Sequence, residues 1–325
     1  MKIEGMSGKR DEKVKVLEPE WLRRQTVDLK MADQLREIGE HKGRAELYGV
    51  HALKAMDSLR RITAEHSAAA ACRLERSETS VEQANYEQLV FTTQDAANKL
   101  PVEAVTILNF HTGLFRDSGI TSTGFQSTAA ADAMDELCKN YLALESSTEP
   151  LLLIGAVFSE MLRIQPFAAG TKRVALLTSF WLMNRRDFTV NRFVSVERIL
   201  EMKQKEFQNA LRWIDEEKPD GSSDEISLWW RCWLEILLQA YRDLSARAEA
   251  LGGRRGVKTE LVLAWIDAES DDFSIRQIQQ QIPECGIELI RKIIKEQKTA
   301  GRIICLGRGP HAMWRKKKPR RGRNV

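Results

Sequence analysis

The stretch "LWWRCWLEILLQAYRDL", residues 228–244, constrains the fold more than any other. Trp229, Trp233, Ile236, Leu237, Ala240 and Leu244 recur three or four positions apart. That spacing puts side chains on one face of an α-helix and scatters them over both faces of a strand. A stripe with two indoles is too bulky to leave in water, so this helix must lie in a core. Leu47, Val50, Leu53, Leu59 and Ile62 repeat the helical spacing within 21–99, and a second helical run covers 101–250. A mainly α body is therefore predicted. Its main interruption is "FRDSGITSTGFQSTA", residues 115–129, whose Gly, Ser and Thr density predicts a short β-hairpin flap or loop.

"ALGGRRGVKTE", residues 250–260, ends the helical body with three glycines, and the pattern changes beyond it. "KTELVLAWIDAE" reads as a helix with Leu261, Val262, Trp265 and Ile266 inward. "SIRQIQQQI" opens with Ser274 and has Gln277 three residues on, the spacing of a capping box. "IELIRKIIKEQKTAG" puts Ile290, Ile293 and Ile294 on one face, leaving Arg291, Lys292, Lys295 and Lys298 for the rest of its surface. Two strand-like runs, "RIICL" and "HAMWRK", flank the tip "GRGP". Three helices followed by a small β wing describe a winged helix-turn-helix. The expected organisation is a flexible N-terminus (1–20), an N-terminal helical domain (21–100), a second helical unit (101–253), the winged helix (254–318) and a basic tail (319–325).

The net charge of +4 is unevenly spread. Residues 254–325 carry 17 Lys and Arg against 8 Asp and Glu, while the rest of the chain is acidic. Cations on a helix that fits the major groove, with Arg308, Arg315, Lys316, Lys317 and Lys318 from the wing and tail near phosphates, point to double-stranded DNA. Winged helices also serve as protein-docking modules, which is the competing use. Five cysteines stand without a C-x-x-C pair, which argues against a zinc site or a disulfide framework. No apolar stretch approaches a membrane span, so a soluble, cytoplasmic protein without a membrane partner is expected.

"RIQPFAAGTKRVALL", residues 163–177, reads as a loop feeding a helix start. After Gly170, the amides of Thr171, Lys172 and Arg173 would face outward where the helix dipole favours anions, and two side-chain cations add to the field. The stretch resembles the signature of the Fic (Fido) family, His-Pro-Phe-x-Asp/Glu-Gly-Asn-Gly-Arg. Pro166, Phe167, Gly170 and Arg173 match it, whereas Gln165 stands for the base histidine, Ala169 for the metal-binding acid, Thr171 for the Asn and Lys172 for the second Gly. "AAAACRLERSETSVEQA" is similar to the family's inhibitory segment and places Glu75 where a glutamate pairs with the signature arginine, with Ala71 and Arg76 departing from the pattern. "NFHTGLFRDSGITSTGF" stands where the family has its target-docking flap, and the C-terminal winged helix resembles the module appended to many bacterial members.

The resemblance implies a helical Fic-like body over 101–253 and transfer of AMP or a related group to a protein hydroxyl. Glutamine is not a base, and alanine holds no metal ion. No catalytic residue, metal or cofactor is therefore expected, and ATP or another nucleotide would bind without Mg²⁺. The expected function is that of a catalytically inactive Fic-like regulator, acting on DNA as a homodimer, with a protein partner at the flap or body as a further possibility. The alternative is a divergent AMP transferase.

Overall fold

The computed structural model describes residues 17–48, 53–77, 79–121, 123–212, 224–252, 257–269, 271–283, 285–307, 309 and 312–317. In chain order the body consists of α1 (Pro19–Leu22), α2 (Leu29–Tyr48), α3 (Leu53–Leu74), α4 (Ser80–Asp95), α5 (Ala104–Leu114), α6 (Thr128–Leu144), α7 (Pro150–Ile164), α8 (Thr171–Arg185), α9 (Val196–Met202), α10 (Gln204–Ala210) and α11 (Asp224–Gly252). There follow α12 (Val257–Ala268), β1 (Phe273–Ser274), α13 (Ile275–Gln281), α14 (Ile287–Thr299), β2 (Ile303–Cys305) and β3 (Met313–Lys316). The fold is mainly α, with one small antiparallel sheet in the order β1-β3-β2. Among the described residues no helix is long and apolar enough to cross a membrane.

The centre of the body is the pair α7 and α8, buried on nearly every side because nearly every side of each helix is apolar or small. Helix α7 starts cleanly: Pro150 occupies its first turn and the Glu149 carboxylate accepts from the Leu151 amide at 3.3 Å. The tryptophans of α11 cover α7. Trp229, Trp230 and Trp233 donate their indole N–H groups to the carbonyls of Gly155, Leu152 and Leu151 at 2.7, 2.9 and 3.1 Å. A Cβ on Gly155 would lie 2.9 Å from the Trp233 ring, so the glycine sets how closely the two helices approach.

The C-terminal unit has its own apolar cluster, built from Val262, Trp265, Ile278, Ile290, Ile293, Ile294 and Ile303 and joined by Leu59 and Ile62 of α3. Its α13 begins with the predicted capping box, with Ser274 and Gln277 bonding each other's backbone amides. β2 and β3 pair antiparallel, with Ile303 opposite Lys316 and Cys305 opposite Trp314. The short strand β1 is not legible in sequence and pairs Phe273 with Trp314.

Two expectations need correction. The expected β-hairpin flap does not form, because no strand is made by the described residues between 115 and 127. Asp117 (φ 58°) and Gly119 (φ 83°) are left-handed, and the Gln126 amide donates to the Pro166 carbonyl at 3.0 Å rather than across a hairpin. The N-terminal segment packs from Leu17 onward, because Leu17 and Leu22 enter the main core. Residues 1–16, Arg308, Lys318 and the tail 319–325 lie outside the described residues.

Candidate functional site: a filled anion site at the start of α8

The loop between α7 and α8 is held from three directions. Gln165 ends α7 in the left-handed region (φ 50°, ψ 59°), and Gly170 precedes α8 at φ 78°. Glycine is required at that position for two reasons: its backbone is left-handed, and a Cβ there would meet the Phe115 ring at 2.7 Å. Phe167 stacks on His111 at 4.0 Å with the rings 7° apart, and His111 Nε2 lies 3.1 Å from the Ala169 carbonyl. Burial lowers the His111 pKa and outweighs that contact, so the imidazole is neutral and its Nε2–H donates to Ala169.

The first amides of α8 are occupied. The Lys172 and Arg173 N–H groups donate to Glu75 Oε1 at 2.7 and 3.3 Å, while Arg173 Nε donates to Glu75 Oε2 at 2.6 Å. One carboxylate thus sits where the helix dipole and two backbone donors favour an anion. The far side of the guanidinium meets a second acid: Arg173 Nη1 donates to Glu82 Oε2 at 2.6 Å, an oxygen also bonded by Ser77 Oγ at 2.6 Å. Arg173 and Glu82 are 3% and 4% exposed, so the pair is inside the protein. Burial opposes charge on each, but the partners prevail: the Glu82 carboxyl is held below its usual range and the Arg173 guanidinium above its own. Arg76, at the turn after α3, adopts φ 57°, a conformation that glycine or asparagine takes more easily.

The other signature positions offer little chemistry. The Gln165 side-chain amide donates back to the Leu162 carbonyl at 2.6 Å, and Thr171 Oγ1 donates to the Phe167 carbonyl at 3.2 Å. Ala169 presents a methyl group where an oxygen ligand would be needed, and no group of three His, Cys, Asp or Glu among the described residues is arranged to hold a metal ion. The residues present do not fit a divalent cation. Lys172 Nζ reaches the Leu74 carbonyl at 3.4 Å.

In the C-terminal unit, α14 exposes Arg291, Lys292, Lys295 and Lys298. Arg291 also pairs with Glu288 at 2.6 Å, and Lys298 lies over the Trp314 ring. On β3 the alternation separates the basic residues. Arg315 is bound at both ends by Asp272, at 2.5 and 2.6 Å. Lys316 turns inward, donates to the Asp267 carbonyl at 2.6 Å, and has its pKa pushed down to about 8, first by burial and then by Arg198. Lys317 remains exposed.

Sequence reasoning placed Glu75 and Arg173 in one site and missed Glu82, His111 as the loop's support, and Ser77. A helical core whose loop-to-helix junction cradles an anion beside an arginine defines the class of protein to which this chain is similar. Residues 92–183, which run from the end of α4 through most of α8, match the model of the Fic/DOC family. In fold it is similar to a Fic family protein from Desulfovibrio desulfuricans G20, with 18% identity, 91% of this chain and 98% of that one covered, and a TM-score of 0.50. Among curated proteins none matches the chain.

Proposed function

We propose that this is a catalytically silent Fic-family protein that acts as a regulator by binding duplex DNA through its C-terminal unit. The observation that carries the first half is the combination at one loop: Gln165 and Ala169 stand at the base and metal-acid positions, and the Glu75 carboxylate fills the α8 amides. Hydroxyl activation needs a proton acceptor, and phosphoryl transfer gains from a cation that neutralises developing charge. His111 is a weak candidate for a substitute base, because its side chain is buried and burial lowers its pKa, which makes the ring a poorer proton acceptor. A nucleotide that displaced Glu75 would bind without Mg²⁺.

The second half rests on α14, whose buried isoleucine face leaves four cations outward on a helix of 13 residues. In this reading Lys292 and Lys295, with Arg291, meet base edges or phosphates, and Lys298, Lys317, Arg308 and Lys318 meet the backbone. Arg315 and Lys316 serve instead to hold β3 in place. If the body dimerises, two such units favour an operator with two-fold symmetry. A gel-shift assay at low salt is the test. Retention of duplex DNA by the full chain, lost when Lys292, Lys295 and Lys298 are replaced by Ala, is expected; no retention at low salt reassigns the unit as a protein-docking module. The intact cradle at Lys172 and Arg173 favours a second reading, a divergent AMP transferase modifying a protein hydroxyl.

A further inference from the structure

A cavity whose lining includes none of residues 163–177 carries several polar side chains. Its volume is about 280 Å³, and α3, α9, α11 and α12 line it, so it joins the body to the C-terminal unit. His66 of α3 stands in its wall at 7% exposure, and neither ring nitrogen has a hydrogen-bond partner among the described residues. Buried polar groups without partners are uncommon, and each costs stability unless something binds it. The ring also touches Trp265 of α12, with centroids 6.2 Å apart.

The charges around the cavity narrow what would fit. Arg198 of α9 and Arg247 of α11 line it, each donating to a backbone carbonyl, Glu269 at 3.2 Å and Phe193 at 2.8 Å. A guanidinium has five N–H donors, so both keep capacity for a ligand. The acids on the wall are Asp243, which accepts from Gln239 at 2.7 Å, and Asp267, which is exposed at the rim. Burial first, and then the field of Arg198, Arg247, Lys316 and Arg73, pushes the His66 pKa down to about 3. The imidazole is therefore neutral, with one donor and one acceptor to offer.

We propose that this cavity binds a small organic anion, a carboxylate- or phosphate-bearing molecule about the size of an amino acid, whose anionic end meets Arg198 and Arg247 and whose hydroxyl or amide meets His66. Thr63 offers a hydroxyl, and Ile62, Ile199 and Met202 an apolar wall, which suits a short carbon chain better than a bare ion. The anion would be held by elements of both the body and the C-terminal unit. This inference does not depend on whether that unit binds DNA.

The full-length protein can be titrated with glycolate, with inorganic phosphate, and with sodium chloride at matched ionic strength, while the His66 ring signals, assigned by their loss in His66→Phe, are followed by NMR. A saturable shift with glycolate is expected, a weaker one with phosphate, and none beyond a salt effect with chloride. Arg198→Gln and Arg247→Gln should each weaken glycolate binding by about tenfold or more, the effect of losing a charged hydrogen-bond donor. Lys172→Ala, at the other anion site, should leave it unchanged. The proposal is overturned if the His66 signals do not move through the millimolar range in the unaltered protein, or if glycolate moves them as readily in both arginine variants as in the unaltered protein. A crystal structure with only water bonded to both His66 nitrogens in the presence of glycolate would also overturn it.

Discussion

Arg173 stands between two carboxylates, with Glu75 on its Nε and Glu82 on its Nη1, each at 2.6 Å. Glu75 does double duty, because it also accepts from the backbone at the start of α8. Replacing it by Ala leaves Arg173 paired with Glu82 alone and leaves two amides open. Chemical denaturation should show a loss of about 1–3 kcal/mol, less than for a fully orphaned buried charge because Glu82 remains. In calorimetry the same variant should bind ATP more tightly than the unaltered protein, with equal affinity in Mg²⁺ and in EDTA. A strong fall of affinity in EDTA would mean that a metal ligand has been overlooked.

Gly170 is fixed by shape. A Gly170→Ala change puts a Cβ 2.7 Å from Phe115 while keeping a left-handed backbone. Overpacking and left-handed strain together should cost about 2–4 kcal/mol. Phe115→Leu in the same chain should recover part of that loss, measured as the unfolding midpoint. A Gly170→Ala variant as stable as the parent would mean that the loop is free to move.

Glu197 gives a pH signature. It is 1% exposed and accepts from Ser67 at 2.7 Å, Tyr86 at 3.0 Å and Ser195 at 3.4 Å. Burial raises its pKa above the ordinary 4.5 and outweighs those hydroxyls, which lower it. A group with a raised folded pKa contributes stability that is full below the unfolded value and lost as pH rises through the folded one. Glu197→Gln cannot ionise, so its stability relative to the parent should improve as pH rises from about 4.5 and level off once the raised folded pKa is passed. Urea unfolding across that range checks it; a difference that stays constant, or reverses, would show that Glu197 ionises freely in the fold.

Much of this architecture is legible locally. The α11 tryptophans, the capping box at Ser274 and the helix after Gly170 are each specified within a few residues, by periodicity, capping chemistry or backbone freedom. Glu75 could be paired with Arg173 in advance because a contiguous motif carries each. Glu82 could not: it lies 91 positions from Arg173 on a helix with no clear apolar face, and nothing local sets it apart from a surface glutamate. The "RKKK" run reads as a set of phosphate contacts, a reading that takes no account of strand alternation, which gives Lys316 to the Asp267 carbonyl and Arg315 to Asp272. The flap failed as a hairpin because Gly and Ser density marks a turn without saying whether a partner strand exists.

If α14 meets DNA phosphates, retention should weaken with salt along a log–log line. Each of Lys292→Ala, Lys295→Ala and Lys298→Ala should reduce the slope by about 0.9 where that lysine contacts a phosphate. Arg315→Ala should instead lower the melting temperature of the C-terminal unit, because it breaks the link to Asp272. Equal slopes for all variants would move the DNA face elsewhere.

Transfer of label from ATP carrying radioactive α-phosphate, by the Glu75→Ala variant with Mg²⁺ or Mn²⁺, tests catalytic silence most directly. This variant removes the carboxylate that fills the site, so chemistry that was only blocked by Glu75 would be released. The absence of a base at Gln165 and of an oxygen ligand at Ala169 predicts no labelling of the protein itself or of added cell proteins, even where calorimetry shows ATP bound. Time-dependent, protease-sensitive incorporation of label by Glu75→Ala would contradict the account and identify a divergent transferase.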